Sequence, residues 1–303
     1  MFFGTPGWAV PSLEQLLNSD FEVAAVVTNP DRPAGRGMEL AQSPIKEAAL
    51  RAGIEVLQPD KARDPALHER LSKLAPDAAI VVAYGKILPA TLLDIPRLGF
   101  VNVHFSLLPE YRGAAPVQRA LMDGVKETGV SILVLTEGMD EGPVLSAEAI
   151  EVGADDTAGT LGRRLAEVGA KLLACVLPGY DSGDIQPVPQ DDARATYAPK
   201  IATAEARIDW TRPAESIRNL VRALNPAPGA WTTFRDLRLK VYAVKRTDDG
   251  ELSPGEVRAG RQLVVGTSDG ALALHEAQVA GKRRMTGSEL ARGLRIHGGE
   301  RFA

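Results

Sequence analysis

Between residues 23 and 136, four short β-branched or apolar runs (23–27, 78–82, 100–104 and 131–136) alternate with stretches of helical periodicity. Strands that alternate with helices need a crossover from one strand to the next, and the helices then cover both faces of a parallel sheet. The expected fold of this part is α/β, a doubly wound Rossmann-like parallel sheet. Ligands of such sheets bind beyond the carboxyl ends of the strands, near the switch in strand order. Tyr84, His104 and Asp140 each fall just after an expected strand, so the pattern directs all three to that region. The opening Met-Phe-Phe-Gly-Thr-Pro is short for a first strand, which ordinarily runs about 5 or 6 residues. Either strand one is short or translation starts upstream of Met1.

The texture changes near residue 180. Asp181-Ser-Gly-Asp184 and Gln186-Pro-Val-Pro-Gln190 read as linker. Residues 214–224 then show helical spacing at Ile217, Val221 and Leu224, followed by short strands expected at 230–234, 237–245, 255–258, 262–267 and 271–279. Short strands with polar turns such as Asp248-Asp-Gly250 close most readily into a small β-barrel, here expected to be OB-like. The division expected is one domain over 1–180, a linker over 181–205 and a smaller domain over 206–303.

At 303 residues and 45% hydrophobic composition the chain can bury the cores of two domains. No apolar stretch approaches the roughly 18 residues that span a bilayer, and the N-terminus lacks a secretory leader. A cytoplasmic protein without membrane contact is expected. Cys175, the single cysteine, lies among Leu172, Leu173, Ala174, Val176 and Leu177 and is expected to be a buried core thiol. One cysteine and four histidines without ligand spacing argue against a metal site. Charge is divided unevenly. Residues 1–199 carry 17 Lys and Arg against 27 Asp and Glu, net −10, while residues 200–303 carry 18 against 12, net +6. A basic C-terminal part fits a polyanionic partner, although a solvated basic face reads equally well from charge alone.

Residues 102–116 read Asn-Val-His-Phe-Ser-Leu-Leu-Pro-Glu-Tyr-Arg-Gly-Ala-Ala-Pro. In an extended segment Asn102 and His104 share one face. With a carboxylate from the stretch Glu137-Gly-Met-Asp140-Glu-Gly-Pro143, they are the parts that stabilise an oxyanion and move protons in acyl transfer. Taken singly, His104 reads as a core histidine and Asp140 as a turn former. The pair, the Ser-Leu-Leu-Pro turn and the later Asp together resemble the formyltransferases that use 10-formyltetrahydrofolate. Within that group the chain resembles the methionyl-tRNA formyltransferases over nearly its whole length, the narrower likeness resting on residues 28–37, Ala206-Arg-Ile-Asp-Trp210 and Ala280-Gly-Lys-Arg-Arg-Met285.

That resemblance implies transfer of a formyl group from 10-formyltetrahydrofolate, the co-substrate, to the α-amine of initiator methionyl-tRNA, with no metal and no obligate protein partner for a monomeric enzyme. Asn102 would donate to the oxyanion, His104 would share it or shuttle protons, and Asp140 would orient His104 and favour its charged form. Glu141 is the rival acid, but the resemblance selects Asp140. Folate would lie along Tyr84, Gly85, Ile87 and Leu88 and the turn Ser106, Leu107, Leu108 and Pro109, held largely by backbone groups. Arg36, in a loop where prolines and glycines forbid a helix, would approach the tRNA acceptor stem. Lys282, Arg283 and Arg284 would contact phosphates, unless they are simply a solvated charge run. Trp8 stands where the family has a phenylalanine lining the methionyl pocket. Phe105 and Glu110 depart from the family pattern, which has a small and a basic residue there. A sister enzyme acting on an amino sugar or glycinamide ribonucleotide would share the three chemical residues, whereas their retention argues against a catalytically idle RNA-binding or scaffold protein; the basic C-terminal part and the Arg36 loop favour tRNA over a small acceptor.

Overall fold

The computed structural model describes residues 1–34, 39–248 and 252–303. They form two compact units, one of Met1–Pro116, Glu127–Glu151 and Gly162–Ala198, the other of Val117–Lys126, Val152–Leu161 and Pro199–Ala303. Up to residue 182 the chain runs β1 (Phe2–Gly4), α1 (Val10–Leu17), β2 (Ala25–Val27), β3 (Arg32–Ala34), β4 (Glu39–Ala41), α2 (Pro44–Arg51), β5 (Glu55–Leu57) and α3 (Pro65–Leu74). It continues through β6 (Ala79–Val82), α4 (Ala90–Leu93), β7 (Phe100–His104), α5 (Pro116–Asp123), β8 (Glu127–Val134), β9 (Val144–Glu151) and α6 (Ala158–Ser182).

In the first unit seven strands make one sheet in the order β5-β2-β1-β6-β7-β8-β9. The pairings from β5 to β7 are parallel, as the strand and helix alternation predicts. β8 and β9 run antiparallel at one edge, so the sheet is mixed there. Asp140 therefore follows a strand directed opposite to β7, not one that ends at the same edge of the sheet. β1 is only three residues long, yet it lies between β2 and β6 with Phe2 and Phe3 fully buried. Successive strand residues point to opposite faces, so these two rings fill the core on both sides of the sheet. Each such burial is worth about 1.5–3 kcal/mol, which offsets the shortness of the strand.

Helix starts follow capping chemistry. Ser43 accepts the Lys46 N–H ahead of Pro44, and Asp64 accepts that of Ala66 ahead of Pro65. On α6 the buried positions Leu173, Val176 and Leu177 recur at helical spacing, whereas Cys175 lies off that face and is exposed. An apolar neighbourhood in sequence was the wrong guide; the 3.6-residue period decides.

The second unit contains α7 (Ala214–Ala223), β10 (Ala230–Phe234), β11 (Leu237–Thr247), β12 (Val257–Ala259), β13 (Leu263–Gly266), β14 (Ala271–Val279) and α8 (Gly287–Leu294). Its antiparallel sheet has the order β10-β11-β14-β13-β12. The last residues bring its two ends together. Thr233 and Ala303 exchange backbone hydrogen bonds on the β10 side, while Phe302 N–H donates to Gly255 O and Val257 N–H to Glu300 O on the β12 side. The strand set thus closes into the small barrel anticipated from the turn spacing. Its core packs Trp210, Phe234, Leu239, Val241, Val265, Leu272 and Phe302, and the Trp210 indole N–H finds Thr232 Oγ1 at 2.9 Å. Among the described residues no helix is long and apolar enough to cross a membrane, and no group of His, Cys, Asp or Glu is placed to hold a metal ion.

Candidate active site

β7 delivers Asn102 and His104 to one face of the sheet, both almost fully buried at 8% and 5% exposure. Asp140 meets them from the β8–β9 connection. Its Oδ1 lies 3.4 Å from Asn102 Nδ2 and its Oδ2 lies 3.6 Å from His104 Nδ1. The Gly113 N–H donates to Oδ2 at 2.9 Å. On the other side of the imidazole, His104 Nε2 is 2.9 Å from the Tyr111 carbonyl oxygen. A carbonyl can only accept, so Nε2 carries a hydrogen and, in the neutral ring, Nδ1 is the bare nitrogen facing Asp140. Any proton taken up by His104 arrives at Nδ1, on the side of Asp140. Asn102 keeps a second amide hydrogen for an external acceptor.

The turn after β7 is held from beneath. Ser106 Oγ donates to Glu110 O at 2.6 Å, Ser131 Oγ donates to Ser106 O at 2.8 Å, and the Leu108 N–H donates to Ser131 Oγ at 3.0 Å. The Ser106 side chain is thus consumed locally, while Leu107 and Leu108 are half-buried and Pro109 is buried. In the loop after β6, Tyr84 turns its ring into the core against Phe3. Burial pushes its phenol up to about 12, and the hydroxyl has no hydrogen-bond partner among the described residues. Tyr84 can offer a ligand its backbone alone, although its carbonyl already accepts from Asn29 Nδ2. Leu88 is likewise a core residue, Gly85 stands at φ 78°, and Ile87 is 83% exposed. Of the two expected apolar walls, only Ile87 is open to contact.

Trp8 packs edge-on against Phe105 with ring centroids 5.9 Å apart. Gly162 leaves room for its indole, which any Cβ there would strike. The two large aromatics that depart from the family pattern therefore fit each other, next to His104. Glu110, the other departure, is exposed and lies 3.6 Å from Arg194 Nη2. Arg36 falls outside the described residues. The root of its loop is well built: Lys46 Nζ reaches Asp31 at 2.5 Å and Gln58 Oε1 at 2.8 Å, and Gln58 Nε2 donates to Asp31 at 2.8 Å. The Lys46 hydrogen bond, with that from Gln58, holds the Asp31 carboxyl below its usual range. Lys282, Arg283 and Arg284 follow β14 in the second unit, with Arg283 paired to Glu289 and Arg284 to Glu276.

Sequence reasoning missed the groups that hold the trio. The Tyr111 carbonyl and the Gly113 N–H are backbone, invisible in residue identity. Arg112 entered only as part of a motif, and Gln190 only as linker; no periodicity marks either.

A sequence model described as formyl transferase matches residues 1–177, and one described as formyl transferase, C-terminal domain, matches residues 200–295. The methionyl-tRNA formyltransferase of Streptomyces coelicolor is 52% identical over 304 residues, covering 99% of this chain and 98% of the relative. The chain belongs to the methionyl-tRNA formyltransferase family. A second relative of that name, from Thermobifida fusca, is 48% identical, with 100% of this chain and 98% of the relative covered. Among solved structures, the N-formyltransferase of Helicobacter canadensis, in complex with folinic acid and dTDP-3-aminofucose, superposes with a TM-score of 0.69 at 18% identity, covering 92% of this chain and 98% of its own. The methionyl-tRNA formyltransferase of Clostridium thermocellum gives 0.57 at 15% identity, with 82% and 93% covered. These two likenesses concern the fold. Family membership makes the chain a formyltransferase.

Proposed function

We propose that this enzyme transfers the formyl group of 10-formyltetrahydrofolate to the α-amine of methionine esterified to initiator tRNA. The observation that carries the reading is the meeting of Asn102, His104 and Asp140 within 3.4 and 3.6 Å, beside relatives of the same length at about half identity. In the reaction the amine nitrogen bonds to the formyl carbon, and the former carbonyl oxygen becomes an anion. Asn102 Nδ2 donates to that anion, the contribution that ordinarily dominates acyl-transfer catalysis. The attacking nitrogen gives up a proton to His104 Nδ1, with Asp140 stabilising the imidazolium; the proton then passes to N10 of the folate as the old carbon–nitrogen bond breaks. An α-amine titrates near about 7.7, so a fair share is already neutral at physiological pH and no strong base is needed. The exposed Ile87 and the backbone of residues 83–89 and 106–109 would flank the folate. Trp8 and Phe105 would border the methionyl side chain, and the basic C-terminal unit, with Lys282, Arg283 and Arg284, would hold RNA. Initiation of translation puts this activity in the cytoplasm.

A transfer assay with charged initiator and elongator tRNAs tests the reading directly. Formylation of the initiator alone is the expected outcome. His104→Ala and Asp140→Ala should each lose most turnover, by about 10²-fold or more, while the melting temperature and tRNA affinity stay near wild type. Near-wild-type single-turnover rates for both variants refute the roles.

A further inference from the structure

We propose that Gln190, oriented by Arg112, is a positioning residue for Asp140; the proposal rests on the reading of Asp140 as part of the reacting site. Asp140 stands at φ 53°, in the left-handed region, where a residue with a side chain is strained and persists only if its surroundings hold it. Gln190 supplies the hold. Its Nε2 donates to the carbonyl of Asp140 at 2.8 Å and to that of Gly142 at 2.7 Å, bracketing the loop from both sides. Both hydrogens of the amide are thereby used, and its Oε1 accepts from Arg112 Nε at 3.0 Å. Carbonyls only accept and a guanidinium only donates, so the amide has a single satisfied orientation. Arg112 is itself buried, at 3% exposure, and its Nη2 is drawn to Asp192 at 2.7 Å.

The same stretch of chain serves His104. Thr196 O accepts the Arg112 N–H, Thr196 Oγ1 accepts the Tyr111 N–H at 2.8 Å, and the Ala198 N–H donates to Arg112 O. Residues 111–113 present the Tyr111 carbonyl to His104 and the Gly113 N–H to Asp140, and they are fastened along residues 196–198. At Gly113, φ is 123° and a Cβ would sit 2.8 Å from the Ala198 carbonyl oxygen, so the two strands of backbone touch. A segment whose prolines and polar residues suggest a spacer thus straps both proton-handling side chains in place.

Gln190→Glu separates positioning from bulk. Glutamate keeps the shape and still faces Arg112, but it has no hydrogen for the two carbonyls and aims an anionic oxygen at them. Turnover, both KM values, melting temperature and tRNA affinity would be measured for Gln190→Glu, Asp140→Asn and the double variant. The expected result is a loss of kcat of about tenfold or more for Gln190→Glu with KM values held, since small misplacements of a reacting group cost that much. On the Asp140→Asn background the same change should alter kcat by less than about twofold, because its effect acts through the carboxylate. Wild-type kcat in Gln190→Glu, or an equal loss on both backgrounds, overturns the proposal and leaves the role of Asp140 standing. Wild-type kcat in Asp140→Asn overturns that role instead. Should Gln190→Glu fail to fold, Gln190→Met, of similar volume and without donors or charge, carries the same comparison.

Discussion

Asp140 collects the Gly113 N–H at 2.9 Å, the Asn102 amide at 3.4 Å and His104 Nδ1 at 3.6 Å, so its charge is answered by neutral donors and by a ring that can become a cation. That arrangement makes Asn102→Asp informative. Two carboxylates would then stand side by side, and position 102 would have no hydrogen to donate. At neutral pH the oxyanion donor is gone and kcat should fall about 10²–10³-fold. Single-turnover rates of the variant and the wild type at one neutral pH would reveal the loss. A rate near wild type speaks against a donor role for Asn102. Asn102 and His104 were legible in the sequence through their strand-compatible spacing, and Asp140 through the family resemblance that selects it over Glu141. Their keepers were not: the Tyr111 carbonyl and Gly113 N–H leave no mark on residue identity, and Gln190 sits among prolines that point to a linker. Tyr84 shows the converse, since its place after a strand is right while its side chain belongs to the core.

Elements with a strong period were readable at their true bounds or close to them. β10, β14 and α7 all combine alternating or helical spacing with clear turns, and each was anticipated within a residue or so. β9 was not, because it is an edge strand whose residues are mostly exposed or half-buried, Ser146-Ala-Glu148 included, which hides the apolar alternation. The barrel closure by Glu300–Ala303 was equally hidden, a segment too short to show any period. Its weight is nonetheless considerable. Phe302 is buried, edge-on to Phe234 with centroids 5.5 Å apart and tilted against Trp210 at 6.0 Å. Phe302→Ala removes the ring that seals this end of the core and should cost about 3–5 kcal/mol, read as a lowered urea midpoint. Phe302→Leu, which keeps most of the volume, should recover much of that loss. If the alanine variant unfolds at the wild-type midpoint, the closing segment contributes no packing and the barrel is sealed by its other strands.

Over the whole molecule, the net −10 of residues 1–199 and +6 of residues 200–303 make the C-terminal part the one proposed to hold tRNA. The structure changes how much of that formal charge is available. Arg283 Nη2 lies 3.1 Å from Glu289, and Arg284 Nη1 lies 3.2 Å from Glu276 with its guanidinium 3.6 Å above the Tyr242 ring. Glu289 also caps α8 through Thr286, and the Thr286 hydrogen bonds, with the nearby arginine, hold its carboxyl below the usual range. It stays ionised near neutral pH, so a phosphate brought to Arg283 would compete with it. Three unpaired cations would each release about one counterion on binding, a salt slope of about 3. With two of them already beside carboxylates, changing Lys282, Arg283 and Arg284 together to Ala should lower the slope of log K against log salt by about 1 to 2. Glu289→Gln keeps a capping side chain while freeing Arg283, and should tighten tRNA binding at low salt and steepen the slope. Binding isotherms over a salt series distinguish these outcomes: an unchanged slope in the triple variant clears the triplet of phosphate contact, and unchanged affinity in Glu289→Gln means that Arg283 faces no RNA.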